Sequence, residues 1–243
     1  RFMKKALPYI LSVCLFAYLI IVLTFASMKL EEVTCRGVQV IVDDTEENAF
    51  VEEEDVQKVI KRHYGDLNNV NVVTIDKDSM EQVLSRYPVI KSAQVYYSLD
   101  GYFHIDIKQR MPVLRIMSGE GYYVDEDGKV MPLSRKYTSR VMVATGNISK
   151  KFACNELYPF VMTLKNDRFW NALIEQIVVT GTDEVNLIPK VGNFRIVLGR
   201  LENVDKKMEN LRLFLQKGIT LKGWNVYKEV NLKFDNQVVC VKR

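Results

Sequence analysis

Side chains that commonly carry catalysis or hold metals are few in this sequence and lie far apart. It contains two histidines, His63 and His104, and four cysteines, and neither type recurs at the short spacings of metal sites. No serine stands in a recognisable nucleophile elbow, although an arrangement of Ser, His and Asp built by the fold stays open. The sequence therefore predicts no catalytic residue, no metal site and no cofactor, and we expect a protein that is not an enzyme.

Two short segments look like ligand-binding loops but lack the rest of each motif. Residues 125–128 (DEDG) resemble the start of a calcium loop, yet the later ligands and the bidentate glutamate are missing. A hairpin turn is therefore favoured there. Gly192 and Gly199 bracket a predicted strand, whereas a dinucleotide fingerprint opens a helix. Neither segment indicates a small-molecule site.

The N-terminal part carries an uncharged apolar stretch at residues 6–26. A helix of that length rises roughly 30 Å, the thickness of a bilayer core. Arg1, Lys4 and Lys5 precede it, which places the N-terminus in the cytoplasm. A cleaved signal peptide is the alternative, but its apolar core is usually shorter. We expect residues 1–29 to be a cytoplasmic stub and a transmembrane helix, with more cytoplasmic tail before Arg1.

Charge argues against nucleic acid as a partner. Four of the 34 basic residues precede residue 30, so the remaining 30 basic residues balance 30 acidic ones. Nucleic-acid binding needs a basic face. Residues 30–60 are nonetheless acidic and residues 200–243 basic. Those segments are either solvated faces or two surfaces that offer partners opposite charge, and the sequence leaves both interpretations open.

Hydrophobic periodicity predicts an α+β fold with two globular modules. Residues 30–114 read as strand, helix, helix, strand, strand, which places two helices on one face of a three-stranded sheet. The predicted elements are strands at 38–42, 93–97 and 103–107, a helix from 52 to Gly65, and a helix at 76–86. Asp76 is a candidate cap for the second helix.

Residues 115–243 predict a mixed β domain with flanking helices. Val204, Met208, Leu211 and Leu215 recur at helical spacing and form the clearest amphipathic helix. The other predicted elements are a hairpin around 125–128, strands at 141–144, 177–180, 185–188 and 194–198, helices over 157–164 and 169–176, and a final hairpin of 227–234 with 237–241.

The final hairpin is rich in large, β-prone side chains. They are Tyr227, Val230, Leu232, Phe234, Val238 and Val239, with Lys228 and Lys233 among them. A terminal strand often lies at a sheet edge, where unpaired N–H and C=O groups can receive a strand of a partner. A strand that is fully paired inside the sheet is the alternative, and the sequence favours neither.

Four segments, in this order, are similar to segments of the FtsQ/DivIB family of bacterial cell-division proteins. Residues 87–95 (YPVIKSAQV) resemble its P-x-v-x-x-a-x-V segment, 109–113 (QRMPV) its E-R-x-P-v junction, 123–130 (YVDEDGKV) its D-x-D/E-G hairpin, and 227–234 (YKEVNLKF) its last long strand, v-D-L-R-Y. Gln109 replaces the usual acid, and Phe234 the usual tyrosine. The resemblance covers essentially the whole chain, and it makes residues 30–114 similar to a POTRA domain.

The resemblance implies a non-enzymatic divisome scaffold, single-pass in the inner membrane, with most of its mass in the periplasm at the division septum. The POTRA domain is associated with recruitment, and the terminal β region with binding FtsB of the FtsB–FtsL pair. Such binding helps to control septal peptidoglycan synthesis by FtsW and FtsI. FtsB-like and FtsL-like proteins are therefore the expected partners, and FtsK-, FtsW- and FtsI-like proteins are further ones.

The resemblance also directs attention to the C-terminal hairpin as a site of strand addition. The residues that we expect to contact a partner are Tyr227, Val230, Leu232, Lys233, Phe234, Gln237 and Val238. Lys233 and Phe234 match the family's Arg-Tyr and are the strongest candidates. The alternative function is an envelope enzyme, or an accessory to one, anchored in the inner membrane and using the region of residues 146–155.

Overall fold

The computed structural model describes residues 11–24, 33–43, 49–98, 100–181, 183–219, 223–234 and 237–243. Residues 11–24 form helix α1 with exposed side chains. The rest of the apolar stretch predicted as a transmembrane helix, residues 6–10 and 25–26, lies outside the described residues. Within the described ranges, no helix combines the length and the apolar character that crossing a bilayer requires.

The described globular part divides into two compact units. Residues 33–43 and 51–109 belong to the first unit, and residues 49–50 together with 110–243 belong to the second. The division falls between Gln109 and Arg110. The predicted boundary after residue 114 instead lies inside strand β4 (Pro112–Met117), which pairs only with strands of the second unit.

The first unit has the predicted strand-helix-helix-strand-strand order. Its elements are β1 (Gly37–Val42), α2 (Glu53–Tyr64), a 3₁₀ turn (Val72–Thr74), α3 (Lys77–Ser85), β2 (Ile90–Tyr97) and β3 (Tyr102–Gln109). The strands form a sheet in the order β1-β3-β2, with β1 parallel and β2 antiparallel to β3. Asp76 caps α3 as predicted, because its Oδ1 accepts from Ser79 N at 3.0 Å.

The core of the first unit lies between this sheet and its two helices. Val56 and Ile60 of α2 are buried, as are Met80 and Leu84 of α3. They belong to one apolar cluster with Phe103, Ile105 and Ile107, the inward residues of β3. The alternating residues His104, Asp106 and Lys108 therefore lie on the opposite, solvent-facing side of the sheet.

The second unit is built on one sheet of nine strands, which we call the large sheet, in the order β12-β11-β10-β9-β8-β7-β4-β5-β6. After β4 come β5 (Tyr122–Asp125), β6 (Val130–Met131), β7 (Met142–Gly146), β8 (Ile174–Thr180), β9 (Glu184–Pro189), β10 (Arg195–Gly199), β11 (Tyr227–Asn231) and β12 (Val239–Lys242). Its helices are α4 (Lys150–Phe152), which runs through a π turn (Ala153–Leu157) into α5 (Tyr158–Asn166), then α6 (Arg168–Leu173), and α7 (Val204–Phe214) with a π turn (Leu215–Ile219).

Helices cover one face of the large sheet. A fully buried row crosses six strands at matched register and consists of Ile116, Ala144, Ile177, Leu187, Ile196 and Val230. It belongs to the same cluster as Leu164 of α5, Trp170 of α6 and Leu211 of α7. Neighbouring residues such as Met117 and Val239 point to the other face, where both are exposed.

Two sequence predictions need correction in this unit. Strand β4 was not predicted, since residues 109–113 were interpreted as a module junction and the second module as starting near Arg115. Gln176 was assigned to a helix but lies in β8, because α6 ends at Leu173 and the strand begins at Ile174. The predicted α+β class and the mixed β domain with flanking helices are confirmed.

Candidate functional site

Strand β12 lies at one edge of the large sheet. It pairs antiparallel with β11 through Asn231 with Val239, Val230 with Cys240, and Glu229 with Val241. Beyond β12 the sheet has no further strand among the described residues. The backbone groups of β12 that face away from β11 are therefore not used by the sheet's own ladder.

The backbone bond of Arg243 fixes which β12 groups face outward. Its N–H donates to the carbonyl of Val226 at 3.2 Å, on the β11 side. Successive N–H groups of an extended strand point to opposite sides. The N–H groups of Lys242 and Cys240 therefore point to the open side of the edge, and that of Val241 points to β11.

The side chains of β12 divide between the two faces of the sheet. Cys240 packs against the core, and burial raises the pKa of its thiol, so it acts there as a small apolar side chain. Val239 and Val241 lie on the other face, where 38% and 46% of their surface is exposed. Exposed valines on an open edge offer a partner strand both backbone and apolar contacts.

Three of the seven predicted contact residues are buried in the core of the second unit. Tyr227, Val230 and Leu232 expose 7%, 0% and 2% of their surface. Their side chains hold β11 against the helices and have no surface to offer. Strand β11 also ends earlier than predicted, at Asn231, although Leu232 N still donates to Val197 O at 2.9 Å.

The other predicted residues lie nearer the surface, after β11. Lys233 is already engaged, because its Nζ lies 2.9 Å from Oε1 of Glu184 on β9. Phe234 is 50% exposed. Gln237 is exposed, and Val238 is half-buried against the core. The sequence prediction left out Val239 and Val241, which strand alternation with the half-buried Val238 and Cys240 could have indicated.

Family comparisons agree with both units. Residues 111–241 match the family model described as FtsQ/DivIB, C-terminal related, which is more than half of the chain. The chain belongs to the FtsQ/DivIB family. Residues 33–108 match the model of a POTRA-like domain. A search among curated proteins found no match. Membership of the FtsQ/DivIB family indicates a non-catalytic cell-division scaffold with other division proteins as partners.

Two of the segments that resemble FtsQ/DivIB proteins meet in the structure. Arg110 comes from the QRMPV segment and Asp125 from the DEDG hairpin, and Arg110 Nη1 lies 2.7 Å from Asp125 Oδ2. Asp125 is completely buried. Its Oδ1 also accepts from the backbone N–H groups of Asp127 at 3.0 Å and Lys129 at 2.7 Å. The carboxylate therefore closes the hairpin turn and holds it to Arg110.

Gln109, which stands where FtsQ/DivIB proteins usually have an acid, has a backbone role in the first unit. It is buried, and its Oε1 accepts from Val51 N at 2.9 Å. A carboxylate could accept the same bond but would carry a buried charge. The neutral amide therefore replaces the acid without loss of this contact. In this FtsQ/DivIB member the junction residues are structural.

The residues considered for catalysis do not form a centre. His63 lies on the exposed side of α2, where its Nδ1 is 3.0 Å from Val59 O, and His104 lies on the outer face of the first sheet. Ser98 Oγ lies 3.1 Å from His104 Nε2, but Asp100 accepts from that same hydroxyl instead of orienting the imidazole. This bond from Ser98 is the main reason that the pKa of Asp100 is lowered.

Residues 146–155 are the region proposed for an alternative enzyme function. Gly146 and Ser149 in this region have structural roles. Gly146 ends β7 with a φ of 111°, and a Cβ there would lie 1.9 Å from Val179 O, so only glycine fits. Ser149 then caps α4, because its Oγ accepts from Phe152 N at 3.1 Å. These residues make a tight strand-to-helix connection.

Proposed function

We propose that this FtsQ/DivIB member holds an FtsB-like partner by accepting one of its strands on the open side of β12. The observation that carries the proposal is the edge position of β12, with the N–H groups of Cys240 and Lys242 directed away from β11. A partner strand would continue the ladder through these groups, and the backbone bonds would supply affinity.

The apolar side chains beside β12 form a small surface that could hold a partner strand. Val239, Val241 and Phe234 are exposed apolar groups at the same end of the large sheet. An interface of this kind usually depends on a few buried anchors surrounded by weaker contacts. We expect Phe234 and Val241 to be those anchors, whereas Tyr227, Val230 and Leu232 act by keeping β11 in position.

The charges near β12 favour an acidic partner segment. Lys228, Lys242 and Arg243 are exposed at this end of the sheet. Glu229, the acid of β11, is already paired with Arg195, whose Nη2 lies 2.7 Å from its Oε2. Opposite charge on the partner would speed association and fix its orientation more than it would raise affinity.

The decisive experiment replaces a single outward N–H. In Lys242→Pro the outward donor is lost and the ring projects toward the incoming strand, while the bonds from β12 to β11 stay in place. We expect affinity for an FtsB-like protein from the same source to fall roughly tenfold or more, measured by calorimetry on the full chain.

Lys242→Ala is the matched control, because it removes the charge and keeps the N–H. It should bind within a few-fold of the unchanged chain. Equal affinity of the Pro and Ala variants would disprove strand addition at β12. Tryptophan fluorescence checks folding in each variant, since Trp170 and Trp224 both lie in the second unit.

The wider role that we propose follows from this contact. An FtsB–FtsL-like pair held at β12 would connect the scaffold to FtsW- and FtsI-like proteins and so help to control septal peptidoglycan synthesis. The POTRA-like first unit would serve recruitment to the septum, with an FtsK-like protein among its partners. Depletion of the FtsB-like protein should then leave septal localisation intact, whereas deletion of residues 33–108 should abolish it.

We also propose that residues 6–26 anchor the chain in the inner membrane, with the N-terminus in the cytoplasm and the globular units in the periplasm. The support is the uncharged sequence and the basic residues that precede it. Alkaline phosphatase fused after residue 243 should be active, since this enzyme matures only in the periplasm. An inactive but intact fusion would reverse the topology.

A further inference from the structure

A cleft of about 700 Å³ opens in the second unit, within the volume range of small-molecule sites. It lies between the start of β4, the loop of residues 132–141, and the helices α5 and α6. It does not involve β11 or β12. The cleft is therefore separate from the strand-addition site proposed above.

The sheet register explains why there is space at this position. Pairing between β4 and β7 begins only at Leu114 with Met142, although β4 itself starts at Pro112. Before Met142 the chain diverges from β4, and the gap is floored by apolar side chains. The apolar lining side chains that stay partly exposed are Met111, Val141 and Met142, and the buried Val113 and Val161 lie beneath them.

The mouth of the cleft is basic. Arg140 of the loop and Lys165 of α5 line it, and both are exposed. Neither has an ion-pair partner among the described residues, and no aspartate or glutamate is among the residues that line the cleft. Residues 132–141, which form the loop at this mouth, contain no acid.

Hydrogen-bond donors accompany these cations. Tyr137, Thr138 and Ser139 carry hydroxyl groups and line the same wall. Asn171, another lining residue, adds a side-chain amide. Guanidinium, ammonium and hydroxyl groups above an apolar floor suit a ligand with one anionic end and one apolar end.

We propose that this cleft binds a small organic anion, with its carboxylate or phosphate group at Arg140 and Lys165 and an apolar body against Met111, Val141 and Met142. A neutral or cationic ligand of the same size would leave the cationic mouth without a counter-charge. This activity is additional to the scaffold role and does not depend on the β12 edge.

Methionine methyl groups provide a direct test in the full chain. Met111 and Met142 line the cleft, whereas Met117 lies on the exposed sheet face and Met208 in the core. The chain is labelled with ¹³C-methyl methionine, the resonances are assigned with single Met→Leu variants, and the protein is titrated with hexyl phosphate, hexanoate, hexanol and inorganic phosphate. Saturable shifts are expected at Met111 and Met142 and not at the other two.

Hexyl phosphate or hexanoate should bind at least tenfold more tightly than hexanol or inorganic phosphate, because only they engage both ends of the cleft. The tighter of the two identifies the natural source as a phosphate or a carboxylate. Equal affinity for hexanol would overturn the proposal, and so would shifts that do not saturate at Met111 and Met142.

The double variant Arg140→Gln, Lys165→Gln tests the role of charge. It should weaken hexyl phosphate or hexanoate binding roughly tenfold and leave hexanol binding unchanged. The matched control is Arg200→Gln, Lys206→Gln, which removes the same two charge types from exposed positions outside the cleft. If both double variants weakened binding equally, general attraction would explain the result and the site would be disproved.

Discussion

The large sheet ends in two different ways. At one end β6 has only two residues, Val130 and Met131, and Pro132 follows at once. At the other end β12 has four residues, with exposed Val239 and Val241. Short strands and proline are devices by which proteins keep sheet edges from pairing with other chains. The comparison indicates that the β6 edge, the closed end of the sheet, is protected from pairing with another chain. The β12 edge, the open end, is available for such pairing.

In the first unit, an edge strand is protected by the side chain of a neighbouring helix. Strand β2 is an edge of its sheet, and Val95 N on it donates to Oε1 of Glu81 at 2.7 Å. A side chain of α3 thus occupies a backbone donor that another chain could use. In β12, by contrast, the outward N–H groups of Cys240 and Lys242 have no such partner among the described hydrogen bonds. The difference between the edges therefore lies in specific contacts as well as in length.

The largest expected effect is on the unfolding free energy of the second unit, through a residue at the closed end of the large sheet. Asp125→Asn removes the fully buried carboxylate that lies 2.7 Å from Arg110 Nη1, and with it the charge that Arg110 pairs with most closely. We expect the second unit to lose about 3 kcal/mol or more of unfolding free energy. Urea unfolding followed by tryptophan fluorescence measures this unit alone, since the first unit has no tryptophan.

Asp127→Asn is the control for that variant. Asp127 is partly exposed and lies 3.9 Å from Arg110, so its replacement should cost much less. Equal losses in the two variants would mean that the pair does not secure the closed end. Where Asp125→Asn remains folded, its affinity at β12 should be unchanged.

The next largest effect is on the affinity for an FtsB-like protein at the open end of the large sheet. Phe234→Ala should weaken binding of an FtsB-like protein by about 2 kcal/mol, roughly thirtyfold, as expected for an interface anchor. Leu133→Ala removes a comparably exposed apolar side chain beside β6 and should change affinity by less than about twofold. Calorimetry on the full chain compares the affinities of the two variants. Unchanged affinity in Phe234→Ala would remove this residue from the site.

Local patterns predicted most elements because the responsible interactions are close in sequence. The period of Val204, Met208, Leu211 and Leu215 was enough to predict α7, and the first unit followed from the same reasoning. β4 was missed because PVLRIM is almost continuously buried, and a strand of that kind lacks the alternation that marks a strand with one exposed face.

The site was harder to predict because it depends on topology. Which strand lies at an edge follows from the order of the whole sheet, so the sequence could not decide whether β12 is paired on both sides. Tyr227, Val230 and Leu232 have the composition of an interface and the burial of a core, and composition does not separate the two. The cleft likewise joins three segments that are distant in sequence.

A smaller effect is expected for Lys233→Ala, although Lys233 was one of the two strongest sequence candidates. Its ammonium is already paired with Glu184, and its stem lies against Gly199, where a Cβ would be 2.8 Å from its Cγ. Affinity for the partner should fall less than about fivefold, since an exposed pair contributes little. A loss as large as that of Phe234→Ala would show that a partner carboxylate displaces Glu184.

The smallest effect is a change in thermal stability, and we expect it at a second Asp–Arg pair. This pair is more exposed than Asp125 and Arg110. Asp167 Oδ2 lies 2.5 Å from Arg212 Nη2, and both side chains are about one-third exposed. Partial desolvation raises the pKa of Asp167, but backbone N–H groups of Trp170 and Phe169 and the charge of Arg212 outweigh it, so that the pKa is lowered.

A lowered folded-state pKa means that the ionised carboxylate stabilises the fold. This contribution is present above the unfolded pKa of about 3.9 and is lost as the pH falls through the lower folded value. Asp167→Asn should therefore melt slightly below the unchanged chain at pH 7, and the difference should shrink and then vanish as the pH falls through the lowered folded-state pKa of Asp167. A difference that persisted at low pH would show that Asp167 acts through hydrogen bonds that asparagine cannot make, and not through its charge. Exposed and buried pairs of the same residue types would then differ in mechanism as well as in size.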